Sequence, residues 1–82
     1  MTDDEVMARS LEIARAIVAG AISPIAGASQ IWVLSSENDR ACFEDLRGFI
    51  AAASQSDEAP DHREALADDA LREAEAFLAR HS

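Results

Sequence analysis

Apolar side chains recur at spacings of three and four residues along most of this chain. That period is typical of amphipathic helices, and no segment alternates apolar and polar residues over the length of a strand. Eighteen of the 82 residues are alanine, the strongest helix former. The pattern predicts a single all-α domain over residues 1–82, a compact bundle of about four helices at approximately 3–19, 24–35, 39–54 and 62–80.

The ends of the first helix are the clearest in the chain. Thr2 and Glu5 have the spacing of a capping box, and the acids between them favour a helix N-terminus. Gly20 is suited to end the helix. Ser23 and Pro24 then predict the next start, with the serine as N-cap and the proline at the first helical position.

The second helix lies in a block without charge, residues 16–36. About 20 apolar residues suffice to cross a bilayer, so this block must be tested as a membrane span. Ser23-Pro24 and two glycines interrupt it and would leave backbone groups unpaired in lipid. We therefore expect two buried helices joined by a tight turn, and no membrane association.

The third helix has the most regular apolar period, which includes Cys42, Leu46 and Phe49. Its N-cap is expected from Ser36, Asn38 or Asp39. The polar run 54–60 ends in a proline and is predicted to be the longest loop. The last helix is expected to begin near Asp61 or Ala65.

Charge limits the classes of partner. Sixteen Asp and Glu face seven Arg, with no Lys, for a net charge of −9. Binding of nucleic acid needs a basic face, so it is not expected. Residues 56–82, with eight acids and three arginines, have a net charge of −5, which favours a basic protein partner. The single cysteine and the acidic start MTDDEV predict a cytoplasmic protein without a signal peptide.

No pattern of residues predicts catalysis or a bound cofactor. Cys42 lies on an apolar stripe without a nearby histidine and is expected to act as a small hydrophobe. No Asp-Ser-Leu occurs, which excludes the acyl carrier class. The segment nearest to a metal site surrounds His62, but its spacing matches neither an EF-hand nor an HExxH pattern, and a capping acid explains it without a metal. We therefore predict no metal ligands and no enzyme activity.

The segment GAISPIAGASQIWVLS, residues 20–35, resembles the core of a family of short bacterial proteins of uncharacterised function. In that family a helix ends in Gly, an Ile-x-Pro start follows, and Gly-Ala precedes an Ile-Trp pair. The resemblance extends through residues 49–60 and implies a small helical bacterial protein, but it brings no catalytic residue and no activity. In size and acidity the chain is also similar to helical bacterial immunity proteins, which present acids to the basic site of a toxin.

These observations favour a small, acidic, non-catalytic module for protein–protein interaction, either regulatory or immunity-like. Trp32 is expected in the core, although tryptophan also anchors interfaces. One alternative is a structural homo-oligomer, and another is a metal-dependent accessory protein that uses His62 and the acids near it. The candidate partner-binding residues are Trp32, Asp57, Glu58, Asp61 and Glu64.

Overall fold

Four α-helices make up most of the molecule. A computed structural model describes residues 2–81. The helices are α1, Asp3–Ala19; α2, Pro24–Glu37; α3, Phe43–Glu58; and α4, Arg63–Arg80, with a short 3-10 turn at Pro60–His62 before α4. The prediction of an all-α bundle is confirmed, and no strand occurs among the described residues.

The predicted ends of α1 and the start of α2 are confirmed. The Thr2 hydroxyl accepts a hydrogen bond from the Glu5 N–H, and the Glu5 carboxylate accepts one from the Thr2 N–H, both at 3.2 Å. Gly20 closes α1 in the left-handed region, at φ 79°, which glycine adopts without steric cost. Ser23 caps α2 by accepting from the Ala26 N–H at 3.2 Å. Each of these ends is formed by residues close together in sequence.

The connection between α2 and α3 differs from the prediction. Asp39, Arg40 and Cys42 have φ values of 58°, 59° and 57°, in the left-handed region. A right-handed helix cannot pass through such residues, so α3 begins at Phe43 rather than at residue 39. The predicted side-chain cap from residue 36, 38 or 39 is wrong, because Cys42 occupies the N-cap position and makes no capping hydrogen bond there.

Polar side chains at the C-terminal end of α2 form hydrogen bonds that stabilise this connection instead. Asn38 donates from Nδ2 to the carbonyl of Leu34 at 2.7 Å, so it closes α2 rather than opening α3. The buried hydroxyl of Ser35 donates to the carbonyl of Ala41 at 2.8 Å. These bonds satisfy backbone carbonyls near the helix end, and α2 continues to Glu37, two residues beyond its predicted end.

The predicted long loop at 54–60 is largely helical. α3 continues through it to Glu58, and Ser56 is buried. Residues 54–58 contain no glycine or proline, whereas Pro60 disfavours the helical conformation in Ala59, which has φ −136°. The polar composition of residues 54–60 led to the prediction of a loop, which is wrong for residues 54–58. The end of α3 is set by Pro60.

The core combines large apolar side chains with many alanines. α2 packs on all three other helices, and α4 packs on α1 and α3 as well. Phe49 of α3 and Phe77 of α4 meet edge to face, with ring centroids 5.5 Å apart. Of the 16 buried apolar residues described, seven are alanine. Across residues 2–81, no helix has both the length and the apolar character needed to cross a membrane.

Candidate functional site

The four acids predicted to bind a partner lie in one exposed segment, residues 57–64, which we name the acidic turn. Asp57 and Glu58 end α3, Asp61 belongs to the 3-10 turn, and Glu64 lies in the first turn of α4. All four side chains are exposed, and none belongs to an ion pair within residues 2–81. With Arg63 as the one arginine, the acidic turn has a net charge of −3.

The chain on either side of these acids is packed into the core. Ser56 on one side and Leu66 on the other are buried, so the chain between them is anchored at both ends. A shallow hollow of about 250 Å³ opens beside the acidic turn, lined by Gln55, Glu58, Ala59, His62, Ala65 and Leu66. The acidic turn is therefore an exposed segment that lies between two residues packed into the core.

His62 lies in the acidic turn and is exposed. Among the residues that the structure describes, no group of three or more His, Cys, Asp or Glu side chains could hold a metal ion. A divalent cation needs several such ligands around one point. The described residues therefore offer no ligand set to the metal-dependent alternative, which stays a prediction.

Trp32 is half-buried and packs against the core. Its neighbour Val33 is 51% exposed, and Val33 and Val18 are the two large apolar residues exposed among those described. Val33 is thus the large apolar side chain on the outward flank of α2. Whether Trp32 anchors a partner stays a prediction.

A groove that the sequence did not indicate runs between α1 and α2. It has a volume of about 400 Å³ and is lined by Arg9, Ile13, Ser29, Gln30, Val33, Leu34 and Glu37. We name it the α1–α2 groove. Ile13 is buried, and Arg9 is paired with Glu12 at 2.8 Å. Val33 is the one large apolar residue among the exposed positions Ala26, Gln30, Val33 and Ser36 of α2, but this exposure is visible only in the structure.

A third depression, between α3 and α4, is polar. Its lining includes Glu73, which pairs with Arg80 at 3.0 Å, and Glu44, which lies 3.8 Å from Arg47. Charges already paired within the chain are less available to a ligand. This cleft is therefore less suited to binding than the acidic turn, whose acids have no ion pair within residues 2–81, and than the α1–α2 groove, whose lining surface is mainly apolar.

Cys42 lies just before α3 and is half-buried, rather than on the apolar stripe within the helix. Its thiol donates a hydrogen bond to the carbonyl of Asp3 at 3.4 Å. Burial raises the pKa of the Cys42 thiol, and the charges of Asp3, Asp45 and Asp4 raise it further. Because the thiolate is the reactive form, this environment opposes nucleophilic chemistry.

Comparison with known proteins adds no assignment. The resemblance of residues 20–35 to short helical bacterial proteins stays a prediction, as does the similarity to immunity proteins. No protein-family model, curated protein or solved structure matches this chain.

Proposed function

We propose that this chain is a small non-catalytic interaction module that binds a basic face of a partner protein through its acidic turn. The observation that carries the proposal is the grouping of Asp57, Glu58, Asp61 and Glu64, all exposed and without an ion pair inside the described chain. Unpaired exposed acids attract basic partners and speed their encounter.

The placement of two of these acids supports the proposal further. Asp57 and Glu58 stand in the last turn of α3, and that turn contains no basic residue. The helix macrodipole is negative at this end, so carboxylates there oppose the stability of the helix. Local choices that oppose stability concentrate at functional sites. We infer that these acids serve binding, and we place the protein in the cytoplasm, where its one cysteine stays free.

The experiment is affinity capture of the tagged protein from lysate of its own host, at low and at high salt, with mass spectrometry of what is retained. The test variant neutralises the acidic turn. Its substitutions are Asp57→Asn, Glu58→Gln, Asp61→Asn and Glu64→Gln. We expect one stoichiometric basic partner that high salt and this variant both release, because salt screens exposed charges beyond a Debye length of about 8 Å at physiological ionic strength.

A matched control removes the same number of exposed charges elsewhere. Its substitutions are Glu44→Gln, Asp45→Asn, Asp68→Asn and Asp69→Asn. The control should retain the partner. Equal loss from both variants would mean that net charge alone governs binding, and the proposal for the acidic turn would then be wrong.

A further inference from the structure

The α1–α2 groove is an apolar surface whose occupant can be argued from charge. Its lining contains one cation, Arg9, and one anion, Glu37, whereas the rest is apolar or uncharged. A basic partner would find no excess of acid there. A surface with balanced charge at its rim suits a partner with the same balance.

The uncharged outer strip of α2 favours a second copy of this chain as the occupant of the groove. Two chains of net charge −9 repel each other at most contacts. The exposed positions of α2 before its last residue are the exception, because Ala26, Gln30, Val33 and Ser36 are all uncharged. The groove lining contributes one acid of each copy to such a contact, Glu37, and Arg9 lines the same groove.

The core gives an independent reason for association. Seven of the 16 buried apolar residues among those described are alanines, which remove little apolar area from water. Domains of this size bury a smaller fraction of their surface than larger ones do, and many use a disulfide, a metal or a partner for additional stability. The single Cys42 forms no disulfide within the chain. Covering Val33 and Leu34 would add apolar burial that the monomer lacks.

We propose that the α1–α2 groove is a homodimer interface, in which a twofold axis sets Arg9 of each copy beside Glu37 of the other. In such an isologous contact the same pair forms twice. Val33, 51% exposed in the single chain, becomes buried at the centre.

The acidic turn stays outside this interface. Glu64 lines a separate hollow with Pro24 and Ile25, at the first turn of α2. The groove begins at Ser29 and ends at Glu37, in the second half of the same helix. The dimer therefore presents two acidic turns, and a bivalent partner would gain avidity from both.

The first experiment measures mass by sedimentation equilibrium from about 1 µM to about 1 mM, the range that covers weak interfaces. The wild type should shift from one chain to two as concentration rises. Val33→Glu should raise the dissociation constant by about tenfold or more, because it buries a charge at the interface centre. Val33→Gln, which adds no charge, should weaken the dimer less.

Val18→Glu is the matched control, because Val18 is 45% exposed on α1 and does not line the groove. It should leave the dissociation constant unchanged. Circular dichroism of each variant establishes that the helices remain, as expected for substitutions at exposed positions.

A charge swap tests the predicted geometry. Arg9→Glu alone should weaken the dimer, because it sets a second acid against Glu37 and adds to the net charge, and the further substitution Glu37→Arg should recover at least part of the loss. A wild type that stays monomeric at about 1 mM overturns the proposal. Equal effects of Val33→Glu and Val18→Glu also overturn it, and so does a double variant weaker than Arg9→Glu alone.

Discussion

Gly27 lies where α2 packs closely against α1. A Cβ atom at this position would lie 2.5 Å from Cδ1 and 2.6 Å from Cγ1 of Ile17, and 3.0 Å from Cδ1 of Ile22. Ile17 is only 2% exposed, and its branched side chain has one strongly preferred rotamer in a helix. Substitution by alanine therefore forces a buried neighbour to move.

The expected size of the effect follows from two opposing terms. Alanine is favoured over glycine within a helix by about 1 kcal/mol. Overpacking a core side chain costs about 1–3 kcal/mol. Gly27→Ala should therefore lower the free energy of unfolding by up to about 2 kcal/mol, and the melting temperature falls by about 4–8 °C per kcal/mol in a domain of this size.

Urea unfolding in two backgrounds isolates the contact. Ile17→Ala alone should cost about 2–5 kcal/mol, because it leaves a cavity in the core. It also removes Cγ1 and Cδ1, the atoms that the new methyl group would meet. In that background Gly27→Ala should cost less or should stabilise the protein, because helix propensity is then opposed only by the 3.0 Å contact with Cδ1 of Ile22. An equal loss in both backgrounds would refute the argument from close packing.

Gly48 provides the matched control on α3. A Cβ atom there would meet the side chain of Glu73, with Cγ at 2.7 Å. That side chain is 26% exposed and flexible, so it can move aside, at the cost of its exposed bond to Arg80. Gly48→Ala should be neutral or stabilising by up to about 1 kcal/mol. If Gly27→Ala stabilised as much as Gly48→Ala, the approach of α1 and α2 would not be the constraint that we infer.

Five further substitutions, at four positions, test local features by urea unfolding. Ser10→Ala should stabilise the protein by about 1 kcal/mol, because the buried Ser10 hydroxyl has no hydrogen-bond partner in the described structure, whereas Ser35→Ala should destabilise it by a similar amount because that hydroxyl is bonded. Asp39→Gly should be more stable than Asp39→Ala by about 1 kcal/mol, since both remove the charge and only glycine relieves the left-handed backbone; equal stabilities would contradict this. Hydrogen bonds from the backbone and side chain of Thr2 lower the pKa of Glu5, so its ionised form stabilises the folded state above the ordinary pKa and this contribution is lost as pH falls through the lowered folded-state value. The loss of stability in Glu5→Gln should therefore be largest near neutral pH and shrink on acidification, and a loss independent of pH would contradict the capping argument.

The parts of the fold that the sequence predicted are those formed locally. The capping box of Thr2 and Glu5 and the cap at Ser23 each need only residues three apart. The start of α3 could not be predicted in this way, because it follows three left-handed residues that are not glycine. Such a conformation is maintained by surrounding contacts, including the bond from Ser35 to Ala41, and leaves no mark in local composition.

The two candidate surfaces also differ in whether the sequence alone could predict them. The exposure of the acids in the acidic turn could be predicted from the sequence alone, because Asp and Glu are almost never fully buried unless they are paired. The α1–α2 groove required the structure, since Ile13 and Leu34 come from different helices and each fits an apolar stripe by itself. Two helices create the groove only when they are packed side by side.

Salt separates the two proposed surfaces, because electrostatics acts on them with opposite sign. Binding at the acidic turn depends on attraction between exposed charges and should weaken as salt rises. Self-association brings together two chains of net charge −9, and its two exposed Arg9–Glu37 pairs contribute little against that repulsion. Higher salt should therefore tighten the dimer while it releases the basic partner. A dimer that weakens with salt in parallel with partner capture would mean that ionic contacts, rather than Val33 and its apolar neighbours, hold the two copies together.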